Sequence, residues 1–475
     1  MATDSLIEPL DLPIDAVIER MVARADARLL ESDRLHGAQA RTTILAAMPR
    51  LNFAMRGDAW TLEGALGHEA GADGGLDRLA RLLVQLGLAQ PDDPANPDPA
   101  LPHFQGGMIG YVGYDLAPRL ERLPRRRPID SALPDLAFGL HDTFVHIDLV
   151  DDTARLIAVD LLGEGPRAVA DRASRFRAIL ESPPPAPRRP RLSPPVSRFT
   201  PDEYRASVAQ AREYIAAGDI FQVNLSQRFE SEADAAIDPA WVHESLRRRS
   251  PAPYSAFLRF DEGSIVSASP ELFYRTDGRR VVTRPIKGTR PRGATPEADA
   301  AQAEALRASP KDRAELTMIV DLERNDLGRV CSYGSVRVTD PLRVESFPQV
   351  HHLVATVEGS LRTGAGPIDL LRAVFPGGSI TGAPKIRAME IIDELERNRR
   401  GVYTGAVGYF GRGGASQFNI AIRTVTIEGS RLRFQVGGGI VADSTPDAEY
   451  RETLDKARGI QLALAEAISA RQEEG

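Results

Sequence analysis

At residues 283–293 the chain contains Thr283-Arg284-Pro285-Ile286-Lys287-Gly288-Thr289-Arg290-Pro291-Arg292-Gly293. This stretch holds one lysine among arginines, between a strand-like run and two glycine-containing turns. Because glycine lets the backbone approach a ligand closely, Lys287 could act as a nucleophile there. On position alone the opposite interpretation is favoured, since most lysines are solvated surface charges and the arginines could simply form a basic loop.

Length and composition limit what this lysine can belong to. With 475 residues, the chain is long enough for two or three domain-sized cores. Hydrophobic residues make up 42% and charged residues 26%, as in an ordinary soluble globular protein. The net charge is −7, and no basic tract interleaves with aromatic residues, so we expect no nucleic-acid partner.

Cysteine content and the N-terminus indicate a cellular compartment. The single cysteine, Cys331, excludes an internal disulfide and fits a reducing environment. Acidic residues occur early in the chain, where a secretory signal needs an uninterrupted apolar core. No run approaches the roughly 18 apolar residues of a membrane span. These features predict a cytoplasmic protein without membrane segments.

A proline-rich segment divides the sequence. Residues 1–181 begin with a helical pattern, Ile14 to Ala27, followed by strand-like runs. Residues 182–195 contain a dense series of prolines, which favours extended backbone. We therefore predict an N-terminal region, a linker at 182–195 and a catalytic region at 196–475. A long surface crossing inside one compact unit explains the prolines almost equally well.

The second region opens with polar residues in strand-like patterns. After a helix pattern from Asp202 to Ala217, the run from Ile220 to Phe229 alternates and places Gln222 on its polar face. Such a face lines a site or meets water, and water is the better expectation. Further on, Glu271 follows a proline among apolar residues. Burial would raise its pKa and suit it to donating a proton, although pairing with an arginine is the alternative.

Two later helices share one construction, an N-cap hydroxyl followed by proline at Ser309-Pro310 and Thr445-Pro446. Each helix carries two acids at i,i+3, and the pairs are Asp312 with Glu315 and Glu449 with Glu452. Like charges on one face repel unless a cation neutralises them, which makes Mg²⁺ a candidate ligand. The alternative is that acids simply favour helix N-termini, with Lys456 an ordinary salt-bridge partner.

Two glycine-rich stretches could supply backbone donors to an oxyanion, namely Gly377 to Lys385 and Gly437-Gly438-Gly439-Ile440. We interpret both as loops, the first leading into a helix from Lys385 to Glu396. Between them, Phe418 to Ile427 alternates as one strand, on which Arg423 could clamp a carboxylate.

Taken together, these stretches resemble the chorismate-utilising enzymes over about Phe199 to Ala467. The motifs that carry the resemblance are Gln222-Val223-Asn224-Leu225-Ser226-Gln227, Ser269-Pro270-Glu271, Pro285-Ile286-Lys287-Gly288-Thr289, Asp321-Leu322-Glu323-Arg324-Asn325-Asp326-Leu327, Gly378 to Lys385 and Gly437 to Val441. The resemblance implies an α+β fold, in which a large antiparallel β-sandwich has helices packed on the outside. The site is expected in the cleft between the sheet edges.

Two positions separate the activities within this family. Members that add water carry a general-base lysine at the position of Gln222, so a glutamine there resembles the ammonia-using branch. Anthranilate-forming members usually have alanine where this chain has Lys287. The resemblance therefore implies conversion of chorismate and ammonia to 4-amino-4-deoxychorismate, for p-aminobenzoate and folate. Anthranilate formation for tryptophan biosynthesis is the alternative, and a non-catalytic chorismate-binding protein is a weaker one.

The resemblance also implies roles for individual residues. Glu271 is the proton donor and Lys287 the covalent nucleophile, while Glu315 and Glu452, with Asp312 and Glu449, hold Mg²⁺ at the ring carboxylate. The residues implied in substrate binding are Gln222, Thr289, His352, Thr381, Tyr403, Arg423, Gly437, Gly438, Gly439 and Lys456.

Ammonia is expected from a separate glutamine amidotransferase subunit, since no glutaminase nucleophile is visible in the sequence. Two further stretches resemble a tryptophan pocket of the ammonia-using branch, through Leu30, Glu31, Ser32, Pro253, Tyr254 and Ser255. Tryptophan as a structural ligand is a hypothesis that unchanged melting and activity with added tryptophan would remove.

Overall fold

A computed structural model describes residues 5–32, 41–90, 103–184, 189–347 and 350–469. Its helices are α1 Ile14–Val22, α2 Gly75–Gln85, α3 Pro166–Glu181, α4 Pro201–Ala216, α5 Pro239–Arg249, α6 Pro296–Ala308, α7 Pro310–Gly328, α8 Pro367–Val374, α9 Lys385–Leu395 and α10 Pro446–Ser469. Within the described ranges, no helix combines the length and apolarity needed to span a membrane.

The strands in chain order are β1 Ser5–Pro9, β2 Arg28–Glu31, β3 Thr42–Ala46, β4 Leu51–Arg56, β5 Ala59–Gly64, β6 Gly67–Gly71, β7 Gly107–Val112, β8 Leu136–His141, β9 Thr143–Asp148, β10 Thr153–Val159, β11 Val196–Ser197 and β12 Gln222–Glu232. They continue as β13 Tyr254–Phe260, β14 Gly263–Ser269, β15 Leu272–Asp277, β16 Arg280–Arg284, β17 Ile286–Pro291, β18 Arg337–Ser346, β19 Val350–Ser360, β20 Gly382–Ala383, β21 Ala406–Gly411, β22 Ala415–Ile420, β23 Thr424–Glu428 and β24 Arg431–Ile440.

These strands form two sheets. The first has the order β1-β10-β9-β3-β2-β13-β14-β23-β24-β12-β11, with β20 also paired to β12. The second has the order β17-β19-β16-β15-β22-β21-β7-β8-β4-β5-β6, with β18 also paired to β19. The described strand pairs are antiparallel, for example Ser226 opposite Gly437 and Leu272 opposite Asn419.

The sheets pack face to face, with helices outside. The core between them joins Ile44 and Phe144 of the first sheet to Tyr111 and Tyr409 of the second. Helices α1, α3, α5 and α10 cover the outer face of the first sheet, and α2, α7 and α8 cover the second. Central strands such as β9 are therefore apolar on both faces, since Phe144 and Val145 are both fully buried. The α+β sandwich predicted from the resemblance is confirmed.

Both sheets mix strands from the two sides of the proline-rich segment. In the first sheet β2 pairs with β13, placing Glu31 opposite Ser255, and in the second sheet β7 pairs with β21. Residues 185–188 of the predicted linker lie outside the described residues, and the division into 1–181, 182–195 and 196–475 stays a prediction. No local pattern in the sequence indicates that strands from the two regions pair with each other.

Helix starts follow the sequence closely. Ser309 caps α7, with its hydroxyl accepting from the backbone N–H of Asp312 at 3.3 Å. Thr445 accepts similarly from Ala448 at 3.4 Å, at the start of α10. The first helix ends at Val22 rather than Ala27.

Two predicted elements are wrong. The run from Phe418 to Ile427 is not one strand, because β22 belongs to the second sheet and β23 to the first. The chain crosses between the sheets at 421–423, with Arg423 in the left-handed region at φ 49°. The stretch Gly437 to Ile440 is not a loop but the end of β24, paired with β12.

Candidate active site

A second crossing between the sheets carries the predicted proton donor. The chain leaves β14 at Ser269, passes through Pro270 and Glu271, and enters β15 in the other sheet. The two crossings are bonded together, since the hydroxyl of Ser269 donates to the carbonyl of Ile420 at 2.6 Å and the N–H of Ile420 donates to the carbonyl of Glu271 at 3.0 Å. The backbone at Glu271 is thus fixed from both sides.

Lys287 and Glu271 meet at this point. The Nζ atom of Lys287 donates to the carbonyl of Ser379 at 3.0 Å, and the side chain of Ser379 hydrogen-bonds Glu271. Burial raises the pKa of Glu271 and lowers the pKa of Lys287, although the charge of each partly offsets the shift of the other. The two shifts run in the direction of a neutral acid beside a neutral amine. Because Lys287 is half-buried and its Nζ is held by a backbone carbonyl, the interpretation of it as a solvated surface charge is wrong.

Arg423 lies at the other crossing, and its backbone carbonyl accepts from the N–H of Ala268 at 3.1 Å. The residue is solvent-accessible, yet surrounding protein lowers the pKa of its guanidinium. Among the described residues, no carboxylate pairs with this guanidinium, which leaves it able to bind an anionic ligand.

The four predicted metal carboxylates come from α7 and α10 and approach one another. Burial raises the pKa of Glu315, and the carboxylates of Asp312 and Glu452 raise it further. Burial and Glu452 raise the pKa of Glu449 in the same way. Against the effect of burial, the ammonium of Lys456, 2.7 Å away, lowers the pKa of Glu452.

This donor set fits a hard divalent cation. Carboxylate oxygens are the ligands that Mg²⁺ prefers, and a cation would relieve the mutual repulsion that raises the pKa values of Glu315 and Glu449. Each acid has another partner in the structure; Asp312, for example, accepts from Arg290 at 2.9 Å. Across the described ranges, no three histidine, cysteine or acidic side chains already stand in a metal-binding arrangement. The metal assignment stays a prediction.

The polar face of β12 is buried, so the expectation that it meets water is wrong. Gln222 is fully buried, and both its amide nitrogen and its amide oxygen lack a partner in the described structure. The amide oxygen of Asn224 is buried without a partner as well. Buried polar atoms are usually hydrogen-bonded in proteins, and a bound ligand would satisfy these atoms.

Gly437 and Gly439 face these groups from β24, while Gly438 faces the carboxylates of α10. An added Cβ at Gly439 would lie 2.9 Å from Nε2 of Gln222, and one at Gly438 would lie 3.1 Å from Oε2 of Glu449. The carbonyl of Gly437 accepts from Lys456 Nζ at 2.8 Å. The glycines therefore leave space that side chains would fill, beside the amide of Gln222 at Gly439 and beside the carboxylates at Gly438.

The remaining predicted ligand-binding residues lie on neighbouring elements. Thr289 and His352 are hydrogen-bonded at 3.0 Å across β17 and β19. Thr381 is fully buried and its hydroxyl donates to the carbonyl of Gly377 at 2.9 Å. Tyr403 is buried near the guanidinium of Arg400. Their contacts with a ligand stay predictions.

Sequence reasoning missed Ser379 as the contact between the acid and the lysine, and it missed a buried ion pair of Arg400 with Glu396. Ser379 lies inside a quoted motif, so its position was available. Glu396 and Arg400 are four positions apart, but α9 ends at Leu395, so the pair does not lie on a helix face and its spacing did not signal that it is buried.

The two stretches of the tryptophan hypothesis are brought together. Ser255 stands opposite Glu31 in the β2–β13 pair, and the hydroxyl of Ser32 donates to the carbonyl of Pro253 at 3.1 Å. Leu30 and Tyr254 lie in the same two strands. The carboxylate of Glu31 is paired with the buried His243. Tryptophan binding stays a hypothesis.

The fold and the site define a class of protein. The chorismate binding enzyme family matches residues 51–461, and the chain belongs to this family. The resemblance stated from the motifs is confirmed.

Two relatives with different names illustrate the likeness. Aminodeoxychorismate synthase component 1 of Salmonella typhimurium is 46% identical over 385 residues, covering 81% of this chain and 82% of that protein. Anthranilate synthase component 1 of Thermus thermophilus is 40% identical over 466 residues, covering 97% and 96%.

Solved structures agree on the fold. Anthranilate synthase component I from Streptococcus pneumoniae superposes with a TM-score of 0.77 at 33% identity, covering 89% of this chain and 92% of that one. The menaquinone-specific isochorismate synthase from Escherichia coli gives a TM-score of 0.73 at 19% identity, covering 98% and 95%, and supports the fold alone.

Proposed function

We propose that the chain converts chorismate and ammonia to 4-amino-4-deoxychorismate, with ammonia delivered from glutamine by a separate amidotransferase subunit. The observation that carries the proposal is Lys287, whose burial lowers its pKa and whose Nζ lies 3.0 Å from the carbonyl of Ser379, beside the buried acid Glu271. A nucleophilic amine next to a proton donor is what displacement of a hydroxyl group requires.

The first step forms a covalent bond to Lys287. The uncharged amine attacks C2 of chorismate, both double bonds of the ring diene shift, and the 4-hydroxyl leaves as water with the proton of Glu271. In the second step ammonia attacks C4, both double bonds shift back, and the lysine leaves as a neutral amine. Glu271 regains its proton from the new C4 ammonium, so the net change is ammonia consumed and water released.

Mg²⁺ would be held by Glu315 and Glu452, with Asp312 and Glu449 close by. When bound, it supplies positive charge for the ring carboxylate of chorismate and limits movement of the ring. At the other end, Arg423 and Tyr403 with the backbone of Gly437–Gly439 would hold the enolpyruvyl carboxylate. The guanidinium of Arg423, which has no carboxylate partner among the described residues, supports that assignment.

Gln222 would receive the ammonia. Its amide oxygen is buried and unpartnered, so it can accept a hydrogen bond from a neutral nucleophile without competing partners in the described structure. An amide does not deprotonate water at neutral pH, which disfavours water as the nucleophile. The relatives named component 1 support a second component as the source of ammonia. The product would serve p-aminobenzoate and folate synthesis.

Anthranilate formation is the second candidate. It is favoured by the 40% identity of the Thermus thermophilus anthranilate synthase component 1 over nearly the whole chain. In that reaction ammonia itself attacks C2, and loss of pyruvate makes the ring aromatic. That reaction does not need a lysine, because ammonia itself attacks C2. The presence of Lys287 therefore favours the first candidate.

The test is to incubate the purified chain with chorismate, Mg²⁺ and ammonium at alkaline pH and to identify products by chromatography with mass detection. We expect aminodeoxychorismate, converted to p-aminobenzoate by an added lyase and reduced at least about a hundredfold in Lys287→Ala. Lys287→Arg is the matched control, since it keeps a cation of similar length that cannot act as a neutral nucleophile.

Intact mass measured with chorismate but without ammonium tests the covalent step. The wild-type chain should gain the mass of chorismate less one water, and the Lys287→Arg chain should gain nothing. Anthranilate as the main product, with no adduct, would establish the second candidate instead.

A further inference from the structure

Arg400 lies beside the proposed chorismate site, and its side chain is almost completely buried. Each of its five N–H groups has an acceptor. The Nε and one Nη2 hydrogen donate to the two oxygens of Glu396 at 3.0 and 2.7 Å. The others donate to the carbonyl of Asn224 at 2.7 Å, the carbonyl of Ile380 at 2.9 Å and the hydroxyl of Thr404 at 3.3 Å.

These acceptors belong to three separate parts of the site. Asn224 is on β12, two residues from Gln222. Ile380 precedes Thr381 in the glycine-rich segment that also contains Ser379. Thr404 follows Tyr403, whose N–H donates to the carbonyl of Arg400 at 3.1 Å.

Aromatic rings fix the plane of the guanidinium. Its central carbon lies 4.8 Å from the ring centre of Tyr114 and 5.8 Å from that of Tyr403. A planar, fork-shaped cation with five donors can satisfy this set of contacts, whereas a lysine has only three donors.

Glu396 extends the arrangement to β12. Its Oε1 atom accepts from both the N–H and the hydroxyl of Ser226, at 2.8 and 2.9 Å. Glu396 thus fixes the direction of the Arg400 fork while it is itself held by the strand that carries Gln222.

We propose that Arg400, oriented by Glu396, is a positioning residue that sets the spacing between the three walls of the chorismate site, β12, the Ser379–Thr381 segment and the turn at Tyr403. Neither side chain touches the reacting atoms in this assignment. The inference rests on the proposed function for the identity of the substrate. A buried ion pair commonly adds little net stability over an apolar pair, and the contacts of this one join all three walls, so we assign it control of their spacing.

The test compares Arg400→Lys and Glu396→Gln with Arg433→Lys. Arg433 is the control, because it is also a buried arginine, on β24, and its ion pairs with Glu428 and Glu230, at 3.2 and 3.4 Å, join only strands of the first sheet and do not reach the Ser379–Thr381 segment or the turn at Tyr403. We expect KM for chorismate to rise about ten- to a hundredfold in both test variants, by loss of charge-assisted hydrogen bonds. The kcat should change by less than about threefold, and KM in the control should stay within about twofold of wild type.

Binding is measured separately from product formation. Chorismate with Mg²⁺ should raise the melting temperature of the wild type and of Arg433→Lys, and raise it much less in Arg400→Lys and Glu396→Gln. Because this readout does not depend on which product forms, a wild-type chain that made anthranilate would refute the proposed function and leave this inference standing. A test variant that folds and keeps the wild-type KM and chorismate-induced shift would overturn it, as would an equal effect in Arg433→Lys.

Discussion

Replacing Gly438 by alanine should weaken Mg²⁺ binding without unfolding the protein. The added methyl carbon would lie 3.1 Å from Oε2 of Glu449 and 3.7 Å from Oε1 of Glu452, with no backbone atom within 4 Å. Because 3.1 Å is a few tenths of an ångström too close, Glu449 has to move away from the cluster. Displacing a group that supports metal ligands typically costs about ten- to a hundredfold in metal affinity, or about 1.4 to 2.7 kcal/mol.

The assay is a Mg²⁺ titration of chorismate consumption, with thermal melting in the absence of Mg²⁺. We expect the half-activating Mg²⁺ concentration to rise by that factor and the metal-free melting temperature to change by less than about 3 °C. Gly439→Ala is the matched control, because its methyl group would press on Gln222, 2.9 Å away, and not on the carboxylates. A wild-type Mg²⁺ requirement in Gly438→Ala, or an equal shift in Gly439→Ala, would refute the assignment of the metal to this cluster.

Three further predictions concern stability and proton transfer. Gly437→Ala places a methyl carbon 2.5 Å from the carbonyl oxygen of Leu225 in the paired strand, so urea unfolding should show a loss of about 1 to 3 kcal/mol, and unchanged stability would contradict the strand pairing. Glu271→Gln should lower kcat by about a hundred- to ten-thousandfold with KM for chorismate little changed, and a kcat near wild type would exclude Glu271 as the proton donor. Burial lowers the pKa of His141 from 6.5 to about 3, so between these values the unfolded chain binds a proton that the folded chain does not. The free energy of unfolding should therefore fall as pH falls, by up to about 1.4 kcal/mol per pH unit from this residue, and His141→Asn should reduce that slope in pH-dependent urea titrations.

Features that depend on a few neighbouring residues, such as helix caps, could be predicted from the sequence. The caps of α7 and α10 follow from a hydroxyl, a proline and an acid within four positions, and the structure has them at Ser309 and Thr445. Lys287 and Glu271 were predicted from short motifs, because the backbone conformation at each of them is set by the adjacent residues. Their proximity could be stated only through the family resemblance.

Long-range features were not predictable from residue patterns. The alternation from Phe418 to Ile427 continues through the crossing because the residues on both sides of it are packed, and no glycine or proline marks the left-handed backbone at Arg423. The polar face of β12 was expected to meet water because an amide in a strand gives no sign of whether another element covers it. Arg400 makes its contact to Asn224 across 176 positions, which no local spacing encodes.

The two crossings have a consequence for how activity can change by mutation. Glu271 and Arg423 both lie on backbone that joins one sheet to the other, and the crossings are bonded to each other. A small rotation of one sheet against the other would therefore shift Glu271 and Arg423 together, without any substitution at the site. Side chains between the sheets, such as Tyr111 and Phe144, are places where remote substitutions could retune the choice of nucleophile or product. Laboratory evolution of this scaffold should recover such changes from the sandwich interior as well as from the cleft.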